Sequence, residues 1–181
     1  MKKIMMLWCL LAVAGSAWAQ FSSATLQASG LTCAMCTRAI NSSLEQLSFV
    51  EKVVPEIKTS SFTIVFKKDV TVDPDALRKG VEDAGFSVAK LQLKGDFSGL
   101  RVKQDTHQDI GGKMFHFIGV KDQVLTGSAV LTVVDKNFVV AKVFKKYSAE
   151  TTMPCIQTGK SGQCCQKNGV KEATRIYHVT I

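Results

Sequence analysis

Residues 24–93 alternate between segments patterned as strands and segments patterned as helices. Apolar side chains recur at every second position in 62–66, which indicates a strand with one buried face. In 37–47 apolar residues recur three or four positions apart with polar residues between them, which indicates an amphipathic helix. The first half of the chain therefore mixes both kinds of element.

A second helix is predicted after Asp73, because aspartate caps free amides and Pro74 suits the first helical position. Gly85 ends this helix. Further strands are predicted at 24–29, 50–57 and 87–93. The resulting order, βαββαβ, is the ferredoxin-like arrangement, with both helices on one face of the sheet. Pro55 cannot donate to a sheet ladder, so the second strand is predicted at an edge.

The second half of the chain is predicted to be mostly strand. Apolar, strand-like runs occupy 114–120, 129–134, 138–144 and 175–181, and no amphipathic helix stands out. The overall class is therefore α+β: a ferredoxin-like domain at 20–94, a linker at 95–99 and a small antiparallel β-domain at 100–181, with an OB-like barrel as the favoured form. A long polar connection at 148–172 interrupts that second domain.

The first nineteen residues have the pattern of a secretory signal peptide. Two lysines precede a short apolar core, and Ala-Trp-Ala at 17–19 fits a cleavage site. This predicts an exported protein, with the periplasm as its compartment. No segment has the roughly 20 apolar residues of a membrane span, so no direct membrane insertion is expected.

Charge excludes one class of partner. The net charge is +8, and it falls to +6 without residues 1–19, which hold two lysines and no acidic residue. The basic residues are dispersed and form no arginine-rich stripe or aromatic-basic motif, so no nucleic-acid partner is expected.

The first β-to-α turn carries the clearest chemistry. Residues 30–36 read Gly-Leu-Thr-Cys-Ala-Met-Cys, which puts Cys33 and Cys36 at the start of a helix. The free amides and the positive dipole end there favour thiolates, the form that binds a metal. Two soft sulfurs without further ligands suit Cu(I), whereas Zn(II) prefers four ligands. Met35 could add a thioether but is expected to be a loop or packing residue.

This segment resembles the heavy-metal-associated domain of copper chaperones and of the periplasmic mercury-binding protein. The family signature is Gly-Met-Thr-Cys-x-x-Cys, with Leu31 here in place of methionine, and Glu-Asp-Ala-Gly-Phe at 82–86 matches a second family motif. The resemblance implies a metal held by Cys33 and Cys36, with Phe86 packed near the loop. Cu(I) is the favoured ion, and Hg(II), Zn(II) and Cd(II) are alternatives. The implied partners are a metal-transporting membrane protein or another thiol-bearing carrier.

Other functions for the same motif stay open. Cys33 and Cys36 could form a local disulfide or catalyse thiol-disulfide exchange. The domain could also be an interaction module that has lost metal binding. No nucleophile-base pair, paired carboxylates or phosphate loop stands out, so the protein is not expected to be an enzyme.

A second group of cysteines, Cys155, Cys164 and Cys165, lies in the polar connection. A disulfide from Cys155 to either of the others is one alternative. A second soft-metal site, helped by Met153 or His178, is another, and free surface thiols are the third.

Three histidines are expected to play smaller parts. His178 alternates with apolar neighbours, so it is predicted to face away from the apolar side of its strand. His107 and His116 are predicted to be isolated surface or satisfied core residues.

Overall fold

The computed structural model describes residues 20–31, 34–166 and 169–181. The signal peptide predicted at 1–19 lies outside the described residues. Within the described ranges, no helix combines the length and apolar character needed to cross a bilayer.

Ten strands and five α-helices are found in the described ranges, with one 3-10 turn at Ile57–Thr59. The strands are β1 Gln20–Ser29, β2 Val50–Glu56, β3 Ser61–Phe66, β4 Ser87–Asp96, β5 Arg101–Val102, β6 His107–Ile110, β7 Lys113–Phe117, β8 Gln123–Val124, β9 Ser128–Val133 and β10 Ile176–Thr180. The helices are α1 Ala34–Glu45, α2 Pro74–Asp83, α3 Ala141–Ser148, α4 Cys155–Thr158 and α5 Gln163–Gln166.

The first half has the predicted order β1-α1-β2-β3-α2-β4, with the strands arranged β2-β3-β1-β4. Strand β2, which contains Pro55, lies at the edge of the sheet as predicted. Helix α2 begins as predicted, because one carboxylate oxygen of Asp73 accepts the amide hydrogens of Asp75 (2.9 Å) and Ala76 (3.4 Å). The cap and Pro74 together set where this helix starts.

The sheet continues without a break into the second half. Strand β4 runs through Asp96 and pairs with β9, in register from Leu91↔Val133 to Asp96↔Ser128. The eight strands follow the order β2-β3-β1-β4-β9-β10-β7-β6, and β5 and β8 form a separate pair. The sheet therefore crosses the predicted boundary and occupies part of the predicted linker.

The second half differs from the predicted antiparallel barrel. Its part of the sheet is open, with β6 at the edge, and β10 pairs with β7 in parallel. Residues 138–144 are not a strand: helix α3 begins at Ala141, and its partly buried Val143, Phe144 and Tyr147 repeat at helical spacing. The polar connection at 148–172 contains α4 and α5.

A single apolar core joins the two halves. Phe21 of β1 contacts Phe97 and Phe115 with ring centroids 5.7 and 5.4 Å apart, and Phe115 contacts Tyr177 of β10 at 5.5 Å. Tyr177 is buried, and its hydroxyl donates to Asp73 and Asp75 at the start of α2, at 3.1 Å each. The end of the chain is thereby tied to the second helix of the first half.

Candidate metal centres

Cys36 lies in the first turn of α1, close to the end of β1. Its side chain is partly exposed, and Met35 beside it is 83% exposed. Met35 is thus a surface residue, and the sulfur of Cys36 is not covered by the core. Cys33 lies outside the described residues, so its predicted pairing with Cys36 at a metal stays a prediction.

Cys36 is disulfide-bonded in this structure. A metal ion is bound by thiolates, so Cys36 has to be reduced before it can serve as a ligand. The free amides and the dipole at the start of α1 favour a negative charge there. The first turn of α1 contains no acidic residue that would compete for these amides.

The turn before α1 packs against Phe86 and the core. Gly30 has φ +81°, a left-handed conformation that favours glycine, and a Cβ at this position would lie 4.0 Å from Phe86 Cδ1. Leu31 packs against the core, as Phe86 does. The packing of Phe86 near the loop agrees with what the sequence resemblance implied.

Three histidines line up across neighbouring strands in the second half. His107 of β6 pairs with His116 of β7, and His116 pairs with His178 of β10. The rings of His107 and His116 are stacked with centroids 4.4 Å apart, and those of His116 and His178 meet edge to face at 5.0 Å. Residues paired in register share one face of a sheet, so the three imidazoles form a continuous row.

His178 faces away from the Tyr177 side of its strand, as predicted, and it is completely buried. Every residue of β10 is buried, because this strand lies inside the sheet and both of its faces are covered. Tyr177 points to the α2 side, so its neighbour His178 points to the opposite face. His116 is likewise completely buried and has polar partners, which makes it a satisfied core residue.

Cys155 lies between two of these imidazoles. Its sulfur is 3.6 Å from His116 Nδ1 and 3.5 Å from His178 Nε2. The other ring nitrogen of each histidine contacts a carboxylate: His116 Nε2 lies 3.1 Å from Asp105, and His178 Nδ1 lies 2.6 Å from Asp135. Two Asp-His pairs therefore converge on one buried sulfur.

Burial dominates the electrostatics of this cluster. It lowers the pKa of His116 to about 3, helped by the nearby His178 and His107. Burial also raises the pKa of the Cys155 thiol, and the neighbouring Cys165 raises it further. At neutral pH, without a bound ion, His116 is therefore neutral and Cys155 is a thiol.

The three cysteines of the polar connection lie close together. Cys155 begins α4, Cys164 and Cys165 lie in α5, and the three sulfurs lie within 4.8 Å of one another. The sulfurs of Cys164 and Cys165 are 3.3 Å apart. All three are free thiols, so neither disulfide considered from the sequence is formed. Met153 packs against the same cluster.

Residues 25–87 match the family model of the heavy-metal-associated domain. The mercuric transport protein periplasmic component of Pseudomonas fluorescens is 30% identical over 86 residues, which are 48% of this chain and 93% of that protein. The chain belongs to the heavy-metal-associated domain family. The family expected from the two sequence motifs is thereby confirmed.

Other relatives cover different shares of the chain. The cation-transporting ATPase HMA5 of Oryza sativa subsp. japonica is 28% identical over 151 residues, which are 78% of this chain but 14% of that protein. Among solved structures, the yeast copper transporter domain Ccc2a, in apo and Cu(I)-loaded states, is 28% identical, with 37% of this chain and 90% of that chain covered and a TM-score of 0.33. Oxidized MerP from Ralstonia metallidurans CH34 is 26% identical, with 36% and 93% covered and a TM-score of 0.33.

The heavy-metal-associated domain and the buried Cys/His cluster occupy different parts of the chain. The domain match ends at residue 87, whereas the cluster is built from residues between 105 and 178. The sequence pointed to the three cysteines through their clustering, but the histidine row had no local signal. His116 and His178 meet only because β7 and β10, far apart in sequence, pair in parallel.

Proposed function

We propose that this protein is an exported carrier or scavenger that holds a soft metal ion between the reduced sulfurs of Cys33 and Cys36. The observation that supports this most is the position of Cys36, partly exposed in the first turn of α1 within a heavy-metal-associated domain. A carrier has to present its ligands to a partner, and a covered thiol could not do so.

Cu(I) is the ion that this pair of ligands suits best. The matched range 25–87 contains two cysteines and no histidine, so two thiolates are the soft ligands that it offers. Cu(I) accepts such low coordination, and Hg(II) is the alternative if the role is detoxification. Zn(II) and Cd(II) are less favoured, because Zn(II) prefers four ligands and the domain supplies two cysteines.

The proposed partner is a metal-transporting membrane protein or another carrier with two thiols. Two of the relatives are named as a periplasmic component of mercuric transport and as a cation-transporting ATPase. The 83% exposure of Met35 leaves the surface beside Cys36 open to a second protein. Transfer would then proceed by ligand exchange, one thiolate at a time, in the periplasm.

A titration tests this proposal. Under anaerobic reducing conditions, Cu(I) is transferred from a coloured chelator to the intact chain and to the variant Cys33→Ser/Cys36→Ser. We expect the variant to lose one tightly bound equivalent, because serine oxygen is a poor ligand for a soft ion. Met35→Leu, which alters an exposed neighbour, is the matched control and should bind as the parent does. A double-serine variant with unchanged stoichiometry and affinity would reject the proposal, and a parallel Hg(II) titration ranks the two ions.

Thiol-disulfide exchange is the second candidate, and the disulfide of Cys36 is the observation that favours it. An exchanger turns over, whereas a carrier does not. Catalysis of insulin reduction, at a rate that depends on Cys33 and Cys36, would favour exchange. We expect no turnover above that of the double-serine variant.

A further inference from the structure

The second half of the chain brings together a separate group of side chains of the kinds that can bind a metal ion. Cys155, Cys164 and Cys165 supply three free thiols whose sulfurs lie within 4.8 Å of one another. His116 and His178 each direct a ring nitrogen at the Cys155 sulfur. None of these residues belongs to the heavy-metal-associated domain at 25–87.

Two of these distances are close to the edges of a tetrahedral coordination shell. With Zn–S near 2.3 Å and Zn–N near 2.0 Å, neighbouring ligand atoms in a tetrahedron are separated by about 3.5 Å for S–N and about 3.8 Å for S–S. The Cys155 sulfur lies 3.5 Å from His178 Nε2, and the Cys164 and Cys165 sulfurs are 3.3 Å apart. The three sulfurs lie within 4.8 Å of one another, and His178 Nε2, which is not within 4.8 Å of all three, has to move toward Cys164 and Cys165 as the ion binds.

The carboxylates behind the histidines strengthen this interpretation. His178 Nδ1 lies 2.6 Å from Asp135, which is itself 6% exposed. A carboxylate that holds the far nitrogen of a histidine fixes the ring and directs the other lone pair, and metal-bound histidines almost always have such a partner. Here that lone pair is directed at the sulfur of Cys155.

The same residues do not fit a nucleophilic enzyme. Cys155, His178 and Asp135 follow the order of a Cys-His-Asp triad, but Cys155 is 1% exposed and His178 is fully buried. A substrate carbonyl cannot approach a sulfur that is covered in this way. A metal ion can be enclosed as the chain folds, and burial is then an advantage, because structural zinc sites have no open position.

We infer that Cys155, Cys164, Cys165 and His178 form a closed, tetrahedral structural site for Zn(II), with Asp135 orienting His178. The site joins α4 and α5 to β10 and thereby holds the polar connection against the sheet. His116, whose Nδ1 lies 3.6 Å from the Cys155 sulfur, is assigned a supporting role in packing against that sulfur. This inference goes beyond the proposed carrier function and does not depend on it.

The experiment uses the full chain carrying Cys33→Ser/Cys36→Ser, so that the first site does not contribute. We expect this chain to bind one equivalent of Zn(II) and to be stabilised against heat by it. Co(II), used as a probe, should give the absorption bands of tetrahedral thiolate coordination. If the chain binds neither Zn(II) nor Co(II), or binds Cu(I) but not Zn(II), the inference is wrong. Because the unsubstituted chain is measured in parallel, this failure is distinguishable from failure of the carrier proposal.

Two buried histidines provide a matched pair of variants. His116 and His178 are both fully buried, and each contacts Cys155 and an aspartate. Loss of an outer partner costs about 10- to 100-fold in metal affinity, so loss of a ligand should cost at least about 100-fold. We therefore expect His178→Gln to weaken Zn(II) binding more than His116→Gln does. Equal affinities for His178→Gln and the parent would reject His178 as a ligand.

A measurement on the chain with all of the proposed ligands in place protects against variants that fail to fold. Cys164 is partly exposed, so it can be alkylated in the folded chain. We expect stoichiometric Zn(II) to slow its alkylation, followed by mass spectrometry, and Cys164→Ser to lose the bound ion while keeping the fold. Ile156→Val, a conservative change of the buried neighbour of Cys155, is the control and should leave binding unchanged. Alkylation at the same rate with and without Zn(II) would overturn the inference.

Discussion

Substitution of Tyr177 by phenylalanine tests whether the two halves of the chain support each other. The hydroxyl of Tyr177 donates to Asp73 and Asp75 at 3.1 Å each, and its ring is 1% exposed in the shared core. Tyr177→Phe keeps the ring and its packing but removes the donor. The substitution therefore isolates the hydrogen bonds between β10 and the start of α2.

The free energy of unfolding that Tyr177→Phe is expected to lose follows from the charge of the two carboxylates that accept the hydrogen bonds. Hydrogen bonds to charged groups contribute about 1.5–3 kcal/mol, and one hydroxyl proton serves both acceptors, so we expect a loss of about 2 kcal/mol rather than twice that. Both carboxylates keep other donors, since Lys113 lies 3.0 Å from Asp73 and Arg175 lies 2.8 Å from Asp75. For a chain of this size, the loss corresponds to a fall in Tm of about 4–8 °C.

The assay is urea unfolding at neutral pH, followed by far-ultraviolet circular dichroism, with the midpoint and slope fitted separately. Phe115→Leu, a change in the same aromatic cluster that removes no hydrogen bond, shows the cost of altered packing alone. In a double-mutant cycle, Tyr177→Phe and Asp75→Asn should be coupled, because each removes part of the same contact. A loss below about 0.5 kcal/mol for Tyr177→Phe, or additive effects, would refute the reasoning.

The remaining predictions concern pH, packing and cooperativity. Burial works to raise the pKa of Asp73, but its hydrogen bonds and the charge of Lys113 outweigh burial and lower that pKa below 3.8. The ionised carboxylate therefore stabilises the fold fully well above pH 3.8, and this stabilisation is lost as the pH falls through the folded-state pKa. Asp73→Asn should flatten the acid limb of a stability-pH profile, and an unchanged limb would contradict this. A Cβ at Gly95 would lie 2.5 Å from the Gln20 carbonyl oxygen, so Gly95→Ala should lower the free energy of unfolding, measured in urea titrations, by about 1–3 kcal/mol. Gly162→Ala is the control, because a Cβ there has nothing within 4 Å, and it should change the same free energy by less than about 0.5 kcal/mol. The continuous sheet predicts one unfolding transition: tyrosine fluorescence, which reports Tyr147 and Tyr177 of the second half, should coincide with circular dichroism, and two separated midpoints would show that the halves unfold independently.

Local patterns were sufficient for the first half of the chain. The cap at Asp73, the proline at the start of α2 and the edge position of Pro55 each depend on backbone chemistry within a few residues, and the structure shows all three. The position of Cys36 at the start of a helix follows in the same way from the strand-turn-helix pattern. Its disulfide was an open alternative, because oxidation state depends on the surroundings as well as on spacing.

The second half shows where local patterns are insufficient. Residues 138–144 contain both a run of apolar residues and a helical repeat. The apolar run predicts a strand, whereas the structure has α3 from Ala141. The alternation around His178 predicted the face on which its side chain lies, but alternation does not show whether that face meets solvent. In the structure β10 is covered on both faces, so His178 is buried.

The amino-acid sequence by itself determined the ferredoxin-like first half, the position of Cys36 at the start of a helix and the family to which the chain belongs, because each depends on residues that are close together along the chain. Only the tertiary structure decided that β4 and β9 join both halves in one sheet, and that His116 and His178 meet Cys155 in its interior. Strand pairing brings together residues that are distant in sequence, and it depends on which edges and faces remain to be covered after local structure has formed.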